Sequence, residues 1–215
     1  MMWEKYYSVL HQLPDWLKKP VPFIVDSLPL FREYGAQALL DLGCGVGRNS
    51  IYLGKEGFDV IGVDISRSAL KKTKLWSKIE GIPNVTVLRA SMTHLPFVRQ
   101  TFHAVISVSV IHHALKKDIE KAIEEIHTVL KDNGLFLANL LSIKDCRYGS
   151  GEKLENGTFR VLENFEERQF QEVHHFFSQR EVLTLLVRSK RISIEPIQNG
   201  KKERPHRYWK VIAIK

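Results

Sequence analysis

The residues whose types and spacing carry the most chemistry are Leu40-Asp41-Leu42-Gly43-Cys44-Gly45-Val46-Gly47-Arg48-Asn49. Three glycines at alternate positions let a backbone approach a ligand where a Cβ would collide, and a helix starting beyond them offers free amides to a polar group. Seventeen residues after Gly47 stands Asp64, a carboxylate placed to accept both hydroxyl protons of a ribose. Together they describe a site for an adenosine-type cofactor. A dinucleotide fingerprint asks for a glycine three positions after the second, and Arg48 stands there instead. Asp41, just ahead of the glycines, would repel a pyrophosphate but attract an ammonium group. No Gly-x-x-x-x-Gly-Lys-Ser/Thr occurs, which disfavours a nucleoside triphosphate. An adenosine joined to a cationic amino-acid tail is S-adenosylmethionine.

Alternating strands and helices must position these groups. Ala38 to Leu42 is a short apolar run closed by the glycines, and Arg48 to Lys55 reads as a short helix. Asp59 to Val63 is strand-like, and Ser66 is an N-cap for a helix to about Lys78. A strand is expected at Val85 to Leu88. Phe102 to Val110 is nearly all apolar, as a central parallel strand buried on both faces should be. Ile119, Ala122, Ile123, Ile126 and Leu130 have helical spacing, and Asn133-Gly134 precedes a strand from Leu135 to Leu140. Ser142 to Phe177 shows no clear period and is long for a plain connection, so it reads as an insertion over an acceptor pocket. Ser178-Gln179-Arg180-Glu181 has capping-box spacing ahead of a helix through Val182, Leu185 and Leu186. Arg191 to Ile197 and Arg207 to Ile214, around Asn199-Gly200, form a hairpin. Residues 1–35 combine Trp3, Tyr6, Tyr7, Leu10 and Leu13 at helical spacing with four prolines, which makes a kinked helical cap. The expected fold is therefore α/β, one domain over 1–215, with a doubly wound, mostly parallel seven-stranded sheet and an antiparallel last strand.

Composition narrows the remaining choices. The 215 residues, 44% hydrophobic and 26% charged, match an ordinary globular protein and disfavour disordered, collagenous and coiled-coil readings. The longest uncharged stretch found, Gln100 to Leu115, includes three histidines and is too short and polar to span a bilayer. The start lacks a secretory pattern, so the expected compartment is cytoplasmic, with Cys44 and Cys146 reduced. The net charge of +8 sits mostly between Arg188 and Lys215, where nine Lys or Arg oppose Glu195 and Glu203. That basic hairpin, with Lys201, Lys202, Arg204, Arg207 and Lys210, is either a solvated turn or a nucleic-acid contact. Arg67, Lys71, Lys72, Lys74 and Lys78 make a basic helix face best read as solvated.

Leu40 to Asn49 with Val60-Ile61-Gly62-Val63-Asp64-Ile65-Ser66 resembles the class I S-adenosylmethionine-dependent methyltransferases. The likeness continues through Ala90-Ser91-Met92-Thr93-His94-Leu95-Pro96-Phe97, Phe102 to His113 and Val129 to Leu135. Gly47 to Leu53, followed by Gly57-Phe58-Asp59-Val60, is similar to small bacterial and archaeal members such as the tellurite-resistance (type 11) group. The resemblance implies that Gly43, Gly45 and Gly47 line the methionine and ribose portion, with Cys44 a small neighbour. It implies that Asp41 orders the amino group, Asp64 holds the ribose hydroxyls and Ile65 packs on adenine. Met92 would flank adenine, and the strand end at Ser107, Val108 and Ser109 would pass beneath the sulfonium. Ser91 stands where the family usually has an aspartate for the adenine amino group.

The resemblance implies methyl transfer to an unidentified, small-molecule acceptor, with RNA as a second acceptor class. A non-catalytic cofactor-binding scaffold is the alternative from another class. An activated methyl needs positioning more than acid–base chemistry, so no catalytic residue is assigned. His112 and His113 are either bases or packing groups; His174-His175 either faces the acceptor or does not. Trp3, Tyr6 and Tyr7 are either an aromatic lid or a staple of the first helix. No His-x-x-x-His or Cys-x-x-Cys is present, so no metal is expected. Oligomeric state is not readable.

Overall fold

A computed structural model of the chain describes residues 2–10, 12–165, 168–200 and 205–215. Four short helices lead in: α1 (Met2–Val9), α2 (Asp15–Lys18), α3 (Pro22–Val25) and α4 (Leu28–Glu33). Pro22 and Pro29 sit in the first turns of α3 and α4, where a missing N–H costs nothing. The alternation then runs β1 (Ala38–Leu42), α5 (Arg48–Lys55), β2 (Asp59–Asp64), α6 (Arg67–Ile79), β3 (Val85–Arg89), β4 (Phe102–Val108), α7 (Lys116–Val129) and β5 (Leu130–Leu141). After β5 come β6 (Glu152–Glu155), β7 (Thr158–Phe165), β8 (Arg168–His175), α8 (Gln179–Leu185), β9 (Arg191–Asn199) and β10 (His206–Ile214).

Seven strands form one sheet in the order β3-β2-β1-β4-β5-β10-β9, and β10 runs antiparallel to both neighbours. This is the expected doubly wound sheet with an antiparallel last strand. Alternation along each strand feeds two cores. Leu39, Ala104, Ile106, Leu135 and Leu137 meet Phe23, Ile24, Phe31 and Leu53 on one face. Leu40, Leu42, Val105, Phe136 and Ala138 meet Ile119, Ile126, Val182 and Leu186 on the other. The strand order reverses between β1 and β4, so the crevice for a ligand opens at the carboxyl ends of those strands.

Two features differ from the sequence expectation. Much of the stretch between 142 and 177 is regular: β6, β7 and β8 make a second, three-stranded antiparallel sheet. Its buried positions include Phe159 and Val161 on β7 but Glu172 and His174 on β8, so the face turned inward is partly polar and the hydrophobic period is broken. At α8, Ser178 accepts from the Glu181 amide at 3.2 Å as a capping box requires. The Glu181 carboxylate, however, turns to His175 at 3.1 Å and Lys116 at 3.5 Å rather than back to the cap. A charged partner outcompetes a backbone amide. Of the basic hairpin, Lys201, Lys202 and Arg204 lie outside the described residues. Among the rest, Lys210 pairs with Glu195 at 3.1 Å and Arg207 donates to the Lys144 carbonyl at 3.0 Å. No helix among the described residues is long and apolar enough to cross a membrane.

Candidate functional site

A cavity of 540 Å³ opens at the carboxyl ends of β1, β2 and β4, roofed by α1 and walled by β8. That is within the roughly 300–1,000 Å³ of small-molecule sites. Gly43, Cys44, Gly45, Asp64, Ile65, Ser91 and Met92 all line it. Asp41, Gly47 and Ser107 do not reach the wall. Asp41 shares the face of β1 that carries Leu39, so its carboxylate points under the loop and accepts from Ser50 Oγ at 2.6 Å. Gly47 is the left-handed residue ahead of α5 (φ 90°), where a Cβ would meet Thr73 Cγ2 at 2.4 Å. Ser107 is buried one residue behind Val108, and Val108, Ser109 and Val110 form the lining there.

The glycine loop is shaped by its own neighbours. Gly43 has φ 73°, and a Cβ on it would lie 2.1 Å from Val110 Cγ2, so only glycine fits whether or not a ligand is bound. Asp64 ties the two strand ends together: Oδ2 accepts from the Gly45 amide at 2.9 Å and Oδ1 from the Ser66 amide at 2.8 Å. Burial raises its pKa, and the backbone amides of Ser66 and Gly45 oppose that shift. Burial also pushes the Asp41 carboxyl up to about 6 and holds the Cys44 thiol protonated. A buried neutral thiol is unreactive.

α1 closes the cavity. Glu4 accepts from Ser68 Oγ at 2.7 Å, Ser66 Oγ at 2.8 Å and the Ser68 amide at 3.3 Å, which lowers its pKa to about 2. A carboxylate from α1 thus sits on the N-terminal turn of α6, where free amides favour an anion. Trp3, Tyr6 and Tyr7 line the cavity, and Tyr6 packs with Leu10, Leu17 and Val46. The aromatic trio therefore both lines the cavity and packs α1 against the fold.

The far wall is charged. Arg147 donates to Asp145 at 2.8 Å and to Glu163 at 2.7 Å. Glu172 Oε1 lies 2.8 Å from His113 Nδ1, and Glu172 Oε2 lies 3.3 Å from His174 Nε2. Burial alone would raise the Glu172 pKa; the two imidazoles lower it to about 2. His112 is fully enclosed, and burial drives its pKa well down, so it is neutral at pH 7. His174 faces this cavity, while His175 points away to Thr158 and Glu181, as adjacent residues of a strand must.

Sequence reading missed several of these wall residues. Ser109 has φ 57° and is held by Asn139, whose Oδ1 accepts from its amide at 2.5 Å. Nothing in the local sequence signals that conformation. Arg48, noted only for displacing a glycine, lines the cavity and lies 5.8 Å from the Trp16 ring centroid. Glu172 had a signal, its two-residue spacing from His174 within a strand, that becomes visible only once the strand is known.

Residues 39–134 match a family model described as a methyltransferase domain. That stretch carries a methyltransferase domain of the class I S-adenosylmethionine-dependent type. An uncharacterized methyltransferase of Synechocystis sp. is 32% identical across 46% of this chain and 45% of its own length. The mitochondrial arginine-hydroxylase NDUFAF5 of Homo sapiens is 41% identical across 46% of this chain and 27% of its own. The chain spans about half the length, or less, of these curated relatives. A SAM-dependent methyltransferase from Methanosarcina mazei superposes with TM-score 0.73 at 19% identity, covering 92% of this chain and 98% of that one. The 1,6-didemethyltoxoflavin-N1-methyltransferase of Burkholderia thailandensis, solved with its namesake compound and S-adenosylhomocysteine, gives 0.63 at 18% identity over 88% and 76%. At such identities the likeness is one of fold.

The residues lining the cavity fit S-adenosylmethionine, the cofactor of those proteins. A carboxylate at the end of β2, apolar walls from Ile65, Ala90 and Met92, and a loop with no room for side chains at Gly43 suit an adenosine and its tail. Arg48 adds a cation to the lining beside the glycine loop.

Proposed function

We propose that this chain transfers the methyl group of S-adenosylmethionine to a small molecule enclosed between α1 and β8. The observation carrying the reading is that one cavity joins the glycine loop and Asp64 to the polar wall of Arg147, Glu163, Glu172 and His174. When bound, the cofactor supplies a methyl on a positively charged sulfur. Asp64 holds the ribose hydroxyls, Ile65 and Met92 flank the base, and Ser91 or nearby backbone accepts from the adenine amino group. Arg48 holds the carboxylate of the tail, and Asp41 orders the ammonium end through the loop it supports. Ser109 and Val110 form the floor beneath the reacting atoms. Trp3, Tyr6 and Tyr7 exclude water and present π faces to the sulfonium. Residues 1–35 then act as a cap, and 142–177 as the acceptor wall, of a single unit.

A roofed cavity with a charged wall suits a small polar acceptor better than a base presented on an RNA backbone. Arg207 and Lys210 on the hairpin are engaged within the fold. The toxoflavin-type relative acts on a small molecule by its name, which supports this choice. The arginine-hydroxylase relative favours a protein side chain as second reading, since a long side chain can enter such a cavity.

Calorimetric titration with S-adenosylmethionine, S-adenosylhomocysteine and NAD in parallel tests the cofactor, followed by a labelled-methyl screen of small molecules, peptides and RNA. Micromolar binding of both adenosyl compounds and none of NAD is expected. Absence of binding by both would replace the enzyme with a scaffold.

A further inference from the structure

Outside the cofactor side of the cavity, three side chains converge without satisfying one another. His113, Glu172 and His174 each contribute a potential ligand atom, and these atoms lie within 4.8 Å of one another. His113 Nδ1 and Glu172 Oε1 are 2.8 Å apart yet not aligned as a hydrogen bond, and both are buried without a partner. Both His174 nitrogens are likewise buried and unpartnered, on a side chain only 1% exposed. Two imidazole nitrogens turned on one carboxylate, with no aligned N–H between His113 Nδ1 and Glu172 Oε1, leave these buried polar atoms unsatisfied where they meet. Such an arrangement is costly unless a proton or a cation lies between them.

The surroundings favour a cation. Glu163 Oε1 lies 3.5 Å from His174 Nδ1 and is itself held by Arg147. A carboxylate on the side of the second ring nitrogen, not aligned as a hydrogen bond here, is placed to support a metal-binding imidazole once a small rotation aligns it. Two imidazoles and one carboxylate, with a remaining direction open to a cavity, make a three-ligand set suited to Zn²⁺ or another first-row divalent ion. The second cluster, Asp145, Cys146 and His206, is the weaker candidate. Its Asp145 already accepts from Arg147 and from the Arg207 amide at 2.7 Å, and Cys146 is exposed.

We propose that His113, Glu172 and His174 form a binding site for one first-row divalent cation, Zn²⁺ foremost, on the acceptor wall of the cavity. The site stands independently of methyl transfer. Where it deepens the proposed function, it rests on that reading and narrows the acceptor to a molecule offering a lone pair, such as a thiolate, an alkoxide or a chelating oxygen pair. A bound cation lowers the pKa of such a group and leaves it ready to accept a methyl.

The test is titration of chelator-treated protein with Zn²⁺ by calorimetry and with Co²⁺ by visible absorption. One equivalent should bind, with visible Co²⁺ bands and no sulfur-to-metal charge-transfer band. Glu163→Gln should weaken binding about 10–100-fold, Glu172→Gln should weaken it further, and Cys146→Ser should leave it unchanged. S-Adenosylhomocysteine affinity, measured on each variant, reports whether it is folded and separates loss of metal from loss of the cofactor site. Should a variant fail to fold, broadening of the His113 and His174 imidazole resonances by Co²⁺ in the unaltered protein decides the matter. No uptake, uptake that survives Glu172→Gln, or uptake with a thiolate band that Cys146→Ser abolishes would each overturn the site.

Discussion

Asp64 and Asp41 are both buried carboxylates at the ends of neighbouring strands, and their partners separate their roles. Asp64 faces the cavity with two backbone amides behind it. Asp64→Ala removes charge-assisted bonds worth about 1.5–3 kcal/mol each, so S-adenosylhomocysteine affinity should fall roughly 10–100-fold for each ribose bond lost. Calorimetry on the variant checks this, and wild-type affinity would move the ribose elsewhere. Asp41 faces Ser50 under the loop, with its carboxyl raised from 3.8 to about 6 by burial. Between those pH values the folded protein keeps a proton that the unfolded chain releases. Asp41 therefore makes the ligand-free protein less stable as pH rises through that window, by about 3 kcal/mol in total. Urea unfolding at pH 4 and pH 7 should show this difference shrinking by about that amount in Asp41→Asn. Equal pH dependence in both proteins would mean that Asp41 titrates normally.

Among the elements, α1 is the one that roofs the cavity. Its attachment runs through Glu4 on the first turn of α6 and through the Lys72 ammonium on the Leu10 carbonyl at 2.7 Å. Because the Glu4 pKa is lowered to about 2, its contribution is complete above the ordinary carboxylate pKa and is lost as pH falls toward 2. Glu4→Gln should speed amide exchange across α1 and shorten the residence of S-adenosylhomocysteine several-fold, while melting temperature changes little. Stopped-flow release measures the second effect; an unchanged rate would make α1 a fixed wall rather than a lid. Helical spacing in the first ten residues made α1 legible in the sequence, but its anchor was not. Glu4 and Ser68 lie 64 positions apart, and no local pattern links them. The β6–β8 sheet was illegible for another reason: Glu172 and His174 occupy buried positions that a hydrophobic alternation assigns to apolar side chains.

At the scale of the molecule, the sheet reversal between β1 and β4 gathers residues from 3 to 208 around one cavity. A ligand that binds only this folded arrangement stabilises it by mass action. S-Adenosylhomocysteine at 100 times its dissociation constant should add about 2.7 kcal/mol, or roughly 5–10 °C in melting temperature for a chain of this size. Differential scanning fluorimetry with NAD as control checks it, and an equal shift with NAD would contradict the cofactor assignment. The sequence by itself determined the alternating strands and helices, the glycine loop and Asp64. These are short-range patterns, set by the period of each element and by a turn that excludes side chains. Only the tertiary structure decided which side of β1 Asp41 faces, that α1 is clipped to α6, and that His113 meets Glu172 and His174. The last two join residues about 60 positions apart, and their partners are chosen by packing, which no local spacing encodes.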